Sequence, residues 1–255
     1  DILLAIDGVE INEKTAVDEL LYHKAGEKVS LLFKSKGLTE IKALNYSSQN
    51  NLRYNNWVAE RAEIVNKATG GKIGYLHIRS MNKQSLDKFK DDLLAKNFYT
   101  NGLIIDVRKN GGGNISDDLV EILTRKHHSY TQSRYSDEEP ISFPTGTYEK
   151  PLVLLIDEDS FSDAEVFPNL FKYLKLGTII GMPTSGSVIG TGSVNFMDGS
   201  SMRMPSSGWY TIDKDGLRNM EGNPAEPDIF VPMTIEDIIT DNDKQLQKAI
   251  EVLGF

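Results

Sequence analysis

Residues 151–181 read PLVLLIDEDSFSDAEVFPNLFKYLKLGTIIG, and this stretch decides the fold class. PLVLLIDED opens on an unbroken apolar run, the mark of a strand buried on both faces. DAEVFPNLFKYLKLG spaces its apolar residues as a helix does, and GTIIG is a second short strand. The same rhythm runs upstream: KIGYLHIRS and NGLIIDVR are strands, and KQSLDKFKDDLLAKN and SDDLVEILTRK are helices. Alternation of this kind predicts an α/β core with a largely parallel sheet covered by helices, its functional groups on loops at strand ends.

Outward from this core the pattern changes. Downstream, GTGSVNFMDGSSMRMPSSGWYT is β-like around an Asp198-Gly199 turn, and one helix is expected from about 235 to 253. At the other end, ILLAIDGVEI carries an Asp7-Gly8 hairpin signal. A helix, TAVDELLYHKA, and two strands, EKVSLLFKSKG and EIKALNY, follow it. Such a segment has too little core to stand alone. Between the two lies a polar, then amphipathic connector, with Val58, Ala62 and Val65 on one helical stripe, Trp57 as a packing anchor and Gly70-Gly71 as its stop. The expected domains are 1–46, 47–71 and 72–255.

Composition excludes several functions. Among 255 residues, 28 Lys and Arg face 37 Asp and Glu, a net charge of -9, and no basic stripe matches a phosphate backbone, so nucleic acid is not an expected partner. No apolar run approaches the roughly 20 residues of a membrane span. Cysteine is absent, which removes disulfides, a thiol nucleophile and cysteine metal sites. The chain opens on DILLAIDGVEIN, with neither an initiator Met nor a signal segment, and reads as a piece of a longer protein.

Two loops carry the candidate chemistry. In IIDVRKNGGGNISDD, residues 104–118, three glycines leave a strand and enter a helix whose expected cap is Ser116, so bare backbone N–H groups face outward. A nucleotide role fits poorly, because no Gly-Lys-Ser/Thr follows. In DEDSFSDAEVF, a strand delivers Ser162 to the start of a helix, where the dipole and the next amide, that of Asp163, favour an oxyanion. Ser162 with Glu165 three residues on is also a capping box, and the local pattern leaves both readings open. Because both loops follow parallel strands, they end on one edge of the sheet, where Gly112 or Gly113 and Asp163 can offer amides to a single oxygen.

GYLHI, GLIIDVRKNGGG, DEDSFSDAEVF, GTIIGMPTSG and NPAEPDI resemble, in order and spacing, the C-terminal processing and tricorn peptidase superfamily. Residues 1–46 resemble the second half of a PDZ domain. The resemblance implies a ClpP/crotonase-like core, a serine-type peptidase acting on peptides, no metal or organic cofactor, a homo-oligomer, and a cytoplasmic protein, with export in a bacterium as the alternative. The C-terminal processing branch uses a lysine in T-x-G-K-G as base, but this chain has Ser187 at that position. The resemblance therefore points to the tricorn branch, with Ser162 as nucleophile and Glu221 in RNMEGNPAEPD as the acid supporting a histidine. Glu226 and Asp228 lie within a register slip of Glu221.

The histidine is missing from this scheme. His23 lies in the N-terminal segment, His77 alternates with apolar residues in a strand, and His127-His128 end a helix. In the tricorn family the catalytic histidine precedes the PDZ domain, so its counterpart is expected before Asp1 and these 255 residues alone are expected to be inactive. The glycine-rich SGSVIGTGS suits strand addition by a peptide, with Gly186, Ile189 and Gly190 as substrate contacts. Two rivals stand beside the peptidase: a non-catalytic peptide-binding relative of the same fold, and a crotonase-type acyl-transfer enzyme, which requires a coenzyme A site that the sequence does not display.

Overall fold

The computed structural model describes residues 1–135, 137–214 and 216–255. They form two compact units, Asp1–Ala59 and Glu60–Phe255. The first holds strands β1 (Leu3–Ile6), β2 (Val9–Glu10), β3 (Lys28–Phe33) and β4 (Gly37–Lys42) in one antiparallel sheet, ordered β2-β1-β3-β4. Asp7 and Gly8 turn β1 into β2, both at positive φ, as a two-residue hairpin demands. The predicted helix shrinks to α1 (Val17–Leu20), because no side chain caps it at Ala16 and none of its residues is buried.

Helix α2 (Tyr46–Thr69) continues past the boundary into the second unit. Its last turns bury Arg61, Val65 and Thr69, and Thr69 Oγ1 accepts the N–H of Ile73, handing the chain to the main sheet.

That sheet is built from β5 (Ile73–His77), β6 (Gly102–Asp106), β9 (Leu152–Ile156), β10 (Thr178–Gly181) and β15 (Ile229–Phe230). Its order is β15-β10-β9-β6-β5 and every pair is parallel, so all carboxyl ends lie on one edge. Helix α3 (Lys83–Asp92), α4 (Ser116–Thr124) and α5 (Asp163–Tyr173) connect these strands. A single core joins them, with Leu103, Ile105, Leu119, Leu154, Ile156, Phe167 and Phe171 wholly buried. Between α4 and β9 the chain adds a hairpin, β7 (Ser129–Thr131) and β8 (Ile141–Phe143), that the residue pattern did not announce. The region around Asp198-Gly199 is a hairpin of β11 (Ile189–Asn195) and β12 (Ser201–Gly208), followed by a second of β13 (Tyr210–Asp213) and β14 (Gly216–Asn219).

The expected C-terminal helix is two helices, α6 (Ile235–Ile239) and α7 (Lys244–Val252). Asp243 breaks it: the residue caps α7 by accepting the N–H of Leu246, and its carboxylate also receives Arg61 and Arg108. Arg108 forks onto Asp106 as well, and Arg61 onto Asp241, so two guanidiniums and three carboxylates form one cluster. Burial opposes the charge on Asp106, yet the Arg108 guanidinium outweighs it and holds the carboxyl below its usual range.

Candidate active site

The site forms where β9 and β6 leave the sheet. After Ile156 the chain turns through Asp157 and Ser160, both buried, and Ser160 Oγ bonds Val107 O at 2.9 Å and Asp157 Oδ1 at 3.0 Å. Ser162 then sits at the N-cap of α5 with φ 58° and ψ -127°, a backbone state that costs a non-glycine residue roughly 1–3 kcal/mol. Its neighbours over-determine it: its N–H reaches Glu165 Oε1 and Ser187 O, each at 3.2 Å, and its C=O accepts the N–H of Glu165 at 2.8 Å. Ser162 and Glu165 thus form the capping box that the sequence allows, the Ser162 hydroxyl donates no hydrogen bond among the described residues, and Ser162 lines an open cleft.

The glycine loop is fitted to this elbow. Asn110, fully buried, donates to Ile78 O at 2.8 Å and accepts the N–H of Phe161 on its carbonyl at 3.2 Å. Gly112 has φ 86°, and a Cβ there would lie 2.6 Å from Ser162 Cβ and 2.7 Å from Phe161 O. Gly113, at φ 150°, would drive a Cβ to 1.8 Å from Met81 O. Both positions require glycine, for contact as much as for conformation. One expectation changes here: the Gly112 N–H is spent on Asn110 Oδ1 at 2.9 Å and is not offered to a ligand. Gly112 O is held by Met81 N–H and Ser80 Oγ, so the trans peptide turns the Gly113 N–H the opposite way. Among the described residues, the N–H groups of Gly113 and Asp163 have no hydrogen-bond acceptor, and both residues line the cleft.

Two buried carboxylates in the first turn of α5 organise the surroundings, which sequence reasoning missed. Asp163 Oδ2 accepts the N–H groups of Ile115 at 2.7 Å and Ser116 at 3.2 Å, and its Oδ1 accepts Ser116 Oγ at 2.7 Å. Asp163 thus caps α4 from another element. The expected cap, Ser116, is instead the first helical residue, and Ile115 stands at the N-cap. Glu165, fully buried, accepts Ser185 Oγ at 3.1 Å, Gly186 N–H at 2.7 Å, Ser187 N–H at 2.8 Å and Thr184 Oγ1, besides Ser162 N–H. Residues 184–187 are therefore wrapped around one carboxylate. Asp157 is the third such group. Burial pushes its carboxyl up to about 6, against the pull of the Lys109 N–H and Ser160 hydroxyl that it accepts.

The cleft, about 980 Å³, is lined by Gly111–113, Ser162 and Asp163 on one side and by Ser187–Thr191, Arg203 and Trp209 on the other. Ile189 and Gly190 border it as expected, but Gly186 does not. Gly186 is buried, its N–H goes to Glu165, and its C=O accepts the N–H of Gly222 at 2.8 Å. Through that bond the segment bearing Glu221 is tied to residues 184–187, which Glu165 gathers. Glu221 is exposed, and its N–H bonds Asn219 Oδ1. Asp228 has a different task, accepting Ile179 N–H at 2.9 Å and pairing with Lys172.

Among the described residues no lysine and no histidine lines the cleft. His77 is buried with Nε2 2.9 Å from Arg108 O, and burial lowers its basicity. His127 pairs with Glu149, and His128 Nδ1 is 3.1 Å from Ser129 Oγ. Among the described residues no cluster of three His, Asp or Glu could hold a metal ion, and no helix of the described residues is long and apolar enough to cross a membrane.

Known proteins resemble this chain in sequence and fold. The tricorn protease of Thermoplasma volcanium is 30% identical over 99% of this chain and 24% of its own length. A putative tricorn-like protease C-terminal subunit of Sulfurisphaera tokodaii is 34% identical over 99% of this chain and 29% of its own. The crystal structure of the tricorn protease superposes with a TM-score of 0.85 at 27% identity, covering 98% of this chain and 24% of that one. The chain thus spans about a quarter of the length of the curated relatives it matches. Residues 72–231 match the model of peptidase family S41. That segment holds the parallel sheet, the glycine loop and the Ser162 elbow, and the chain belongs to peptidase family S41.

Proposed function

We propose that these residues carry the nucleophile and oxyanion hole of a tricorn-like serine peptidase, and that its histidine comes from outside the 255 residues. The observation that carries the reading is Ser162, held at positive φ on a strand-to-helix elbow with its hydroxyl donating to no described residue and the amides of Asp163 and Gly113 unspent beside it. Ser162 Oγ attacks a peptide carbonyl carbon while the base takes its proton. The carbonyl oxygen, now negative, is held by the Asp163 and Gly113 amides, aided by the positive end of α5. The C–N bond breaks, the base returns the proton to the leaving amine, and water hydrolyses the acyl-serine by the same steps in reverse. Glu221 orients the incoming imidazole, and a peptide lies along β11 beside Ile189 and Gly190. The protein assembles as a homo-oligomer, as the resemblance implies.

The absence of a histidine among the described residues lining the cleft also favours a relative that binds peptides without cleaving them. Hydrolysis of a fluorogenic peptide library separates the two. The native protein containing this chain is expected to cleave and its Ser162→Ala variant not to, while residues 1–255 alone show little or no activity. Robust hydrolysis by residues 1–255 that His77→Ala abolishes contradicts the external base, and hydrolysis that survives Ser162→Ala contradicts the nucleophile.

A further inference from the structure

Among the described residues the cleft lining holds two charged side chains, Asp163 and Arg203. Asp163 is committed, since both its oxygens accept donors from Ile115 and Ser116. The charge that faces a ligand is therefore that of Arg203. Arg203 stands on β12 opposite Ser193, is exposed, and makes one hydrogen bond, from Nη2 to Thr191 Oγ1 at 2.6 Å. That bond uses one of the five guanidinium donors and aims the group toward β11. In a chain where 37 acidic residues face 28 basic ones, Arg203 has no carboxylate partner among the described residues.

We propose that Arg203 is the specificity-determining residue of the cleft, recognising a carboxylate on the bound peptide; this rests on the peptidase reading above. The register sets where that carboxylate lies. Ser187, whose C=O takes the Ser162 N–H, is at the nucleophile, and β11 begins two residues later. At about 3.3 Å per residue, Thr191 lies roughly 13 Å further along, three to four residues of an extended peptide. Among the described residues β11 pairs with β12 alone, which leaves its second edge for an added strand. The ligand class is an extended peptide whose carboxylate stands three to four residues from the scissile bond, supplied either by an Asp or Glu side chain or by the peptide's own C-terminus. Both present the planar pair of oxygens that a guanidinium grips with two parallel hydrogen bonds.

The test is peptide binding to the Ser162→Ala chain, measured by fluorescence anisotropy with labelled extended peptides. One set scans Glu against Gln along the peptide, and another compares free with amidated C-termini. Peptides with the carboxylate in register are expected to bind about tenfold tighter than their neutral partners, the worth of a charge-assisted hydrogen bond. That preference should vanish in Ser162→Ala/Arg203→Gln and turn toward Lys-bearing peptides in Ser162→Ala/Arg203→Glu. A preference confined to Glu assigns the site to an acidic side chain, and one confined to the free C-terminus assigns it to the chain end. Equal affinity for charged and neutral peptides, or a preference that survives Arg203→Gln, overturns the role of Arg203 and leaves the peptide cleft standing. Failure of every peptide to bind overturns the peptide cleft and this proposal with it.

Discussion

Buried charge is handled in two ways on either side of the same glycine loop. Around Arg108, carboxylates are neutralised by counter-ions: Asp106 and Asp243 each receive its guanidinium, and Arg61 adds a second. Around Ser162, the buried carboxylates of Asp157, Asp163 and Glu165 receive only N–H groups and hydroxyls in hydrogen bonds. Ion pairs lock elements whose positions the core already determines. Carboxylates bonded to amides do something else, because each gathers loop backbone that has no apolar core of its own. Asp163 holds the start of α4, Glu165 holds residues 184–187, and Asp157 holds Lys109 to Ser160. The first cluster serves stability, and the second sets geometry around Ser162.

The largest effect should come from the ion-paired side. Arg108→Met leaves Asp106, fully buried, without its guanidinium partner, and should cost about 3–5 kcal/mol in chemical denaturation. A loss below about 1 kcal/mol would erase the contrast. Next comes Asp157, whose folded-state value of about 6 lies above its unfolded value near 3.8. The folded protein then binds more protons between these values. Its contribution to stability is fully present below about pH 4 and is lost as pH rises through about 6. Wild type minus Asp157→Asn should therefore fall by up to about 3 kcal/mol as pH rises across that window. A difference that is flat or rises with pH contradicts the assignment. The smallest stability change, about 1–3 kcal/mol, is expected of Glu165→Gln, whose amide turns a donor toward the donors of residues 184–187. Its reactivity should suffer more: misplacing the elbow should slow acylation of Ser162 at least about tenfold. Glu165→Gln that loses stability but acylates at the wild-type rate would reduce Glu165 to an ordinary cap.

The sequence made the elbow legible because its signals are local. A buried apolar run, a short loop and a helix start lie within 151–173, and the glycines of 111–113 stand beside a strand end in the same way. The site's wiring is not local. The carboxylate of Glu165 finds partners about twenty residues away, that of Asp163 about 47 residues back. In sequence, both look like acids favouring the N-terminus of a helix, and nothing in their spacing shows that the first turn of α5 is buried all round. The acceptor of the Gly112 N–H was equally hidden, since an asparagine two residues before a glycine is a common turn feature. The broken C-terminal helix has the same origin: Asp243 is bound by arginines 135 and 182 residues earlier in the chain.

The central claim is that Ser162 is the nucleophile around which these loops are arranged. Its most direct measurement is fluorophosphonate labelling of the native protein containing this chain, followed by peptide mapping in a mass spectrometer. The account predicts a single adduct on Ser162, lost in Ser162→Ala. An adduct on another serine, or labelling that is indifferent to Ser162→Ala, would contradict it.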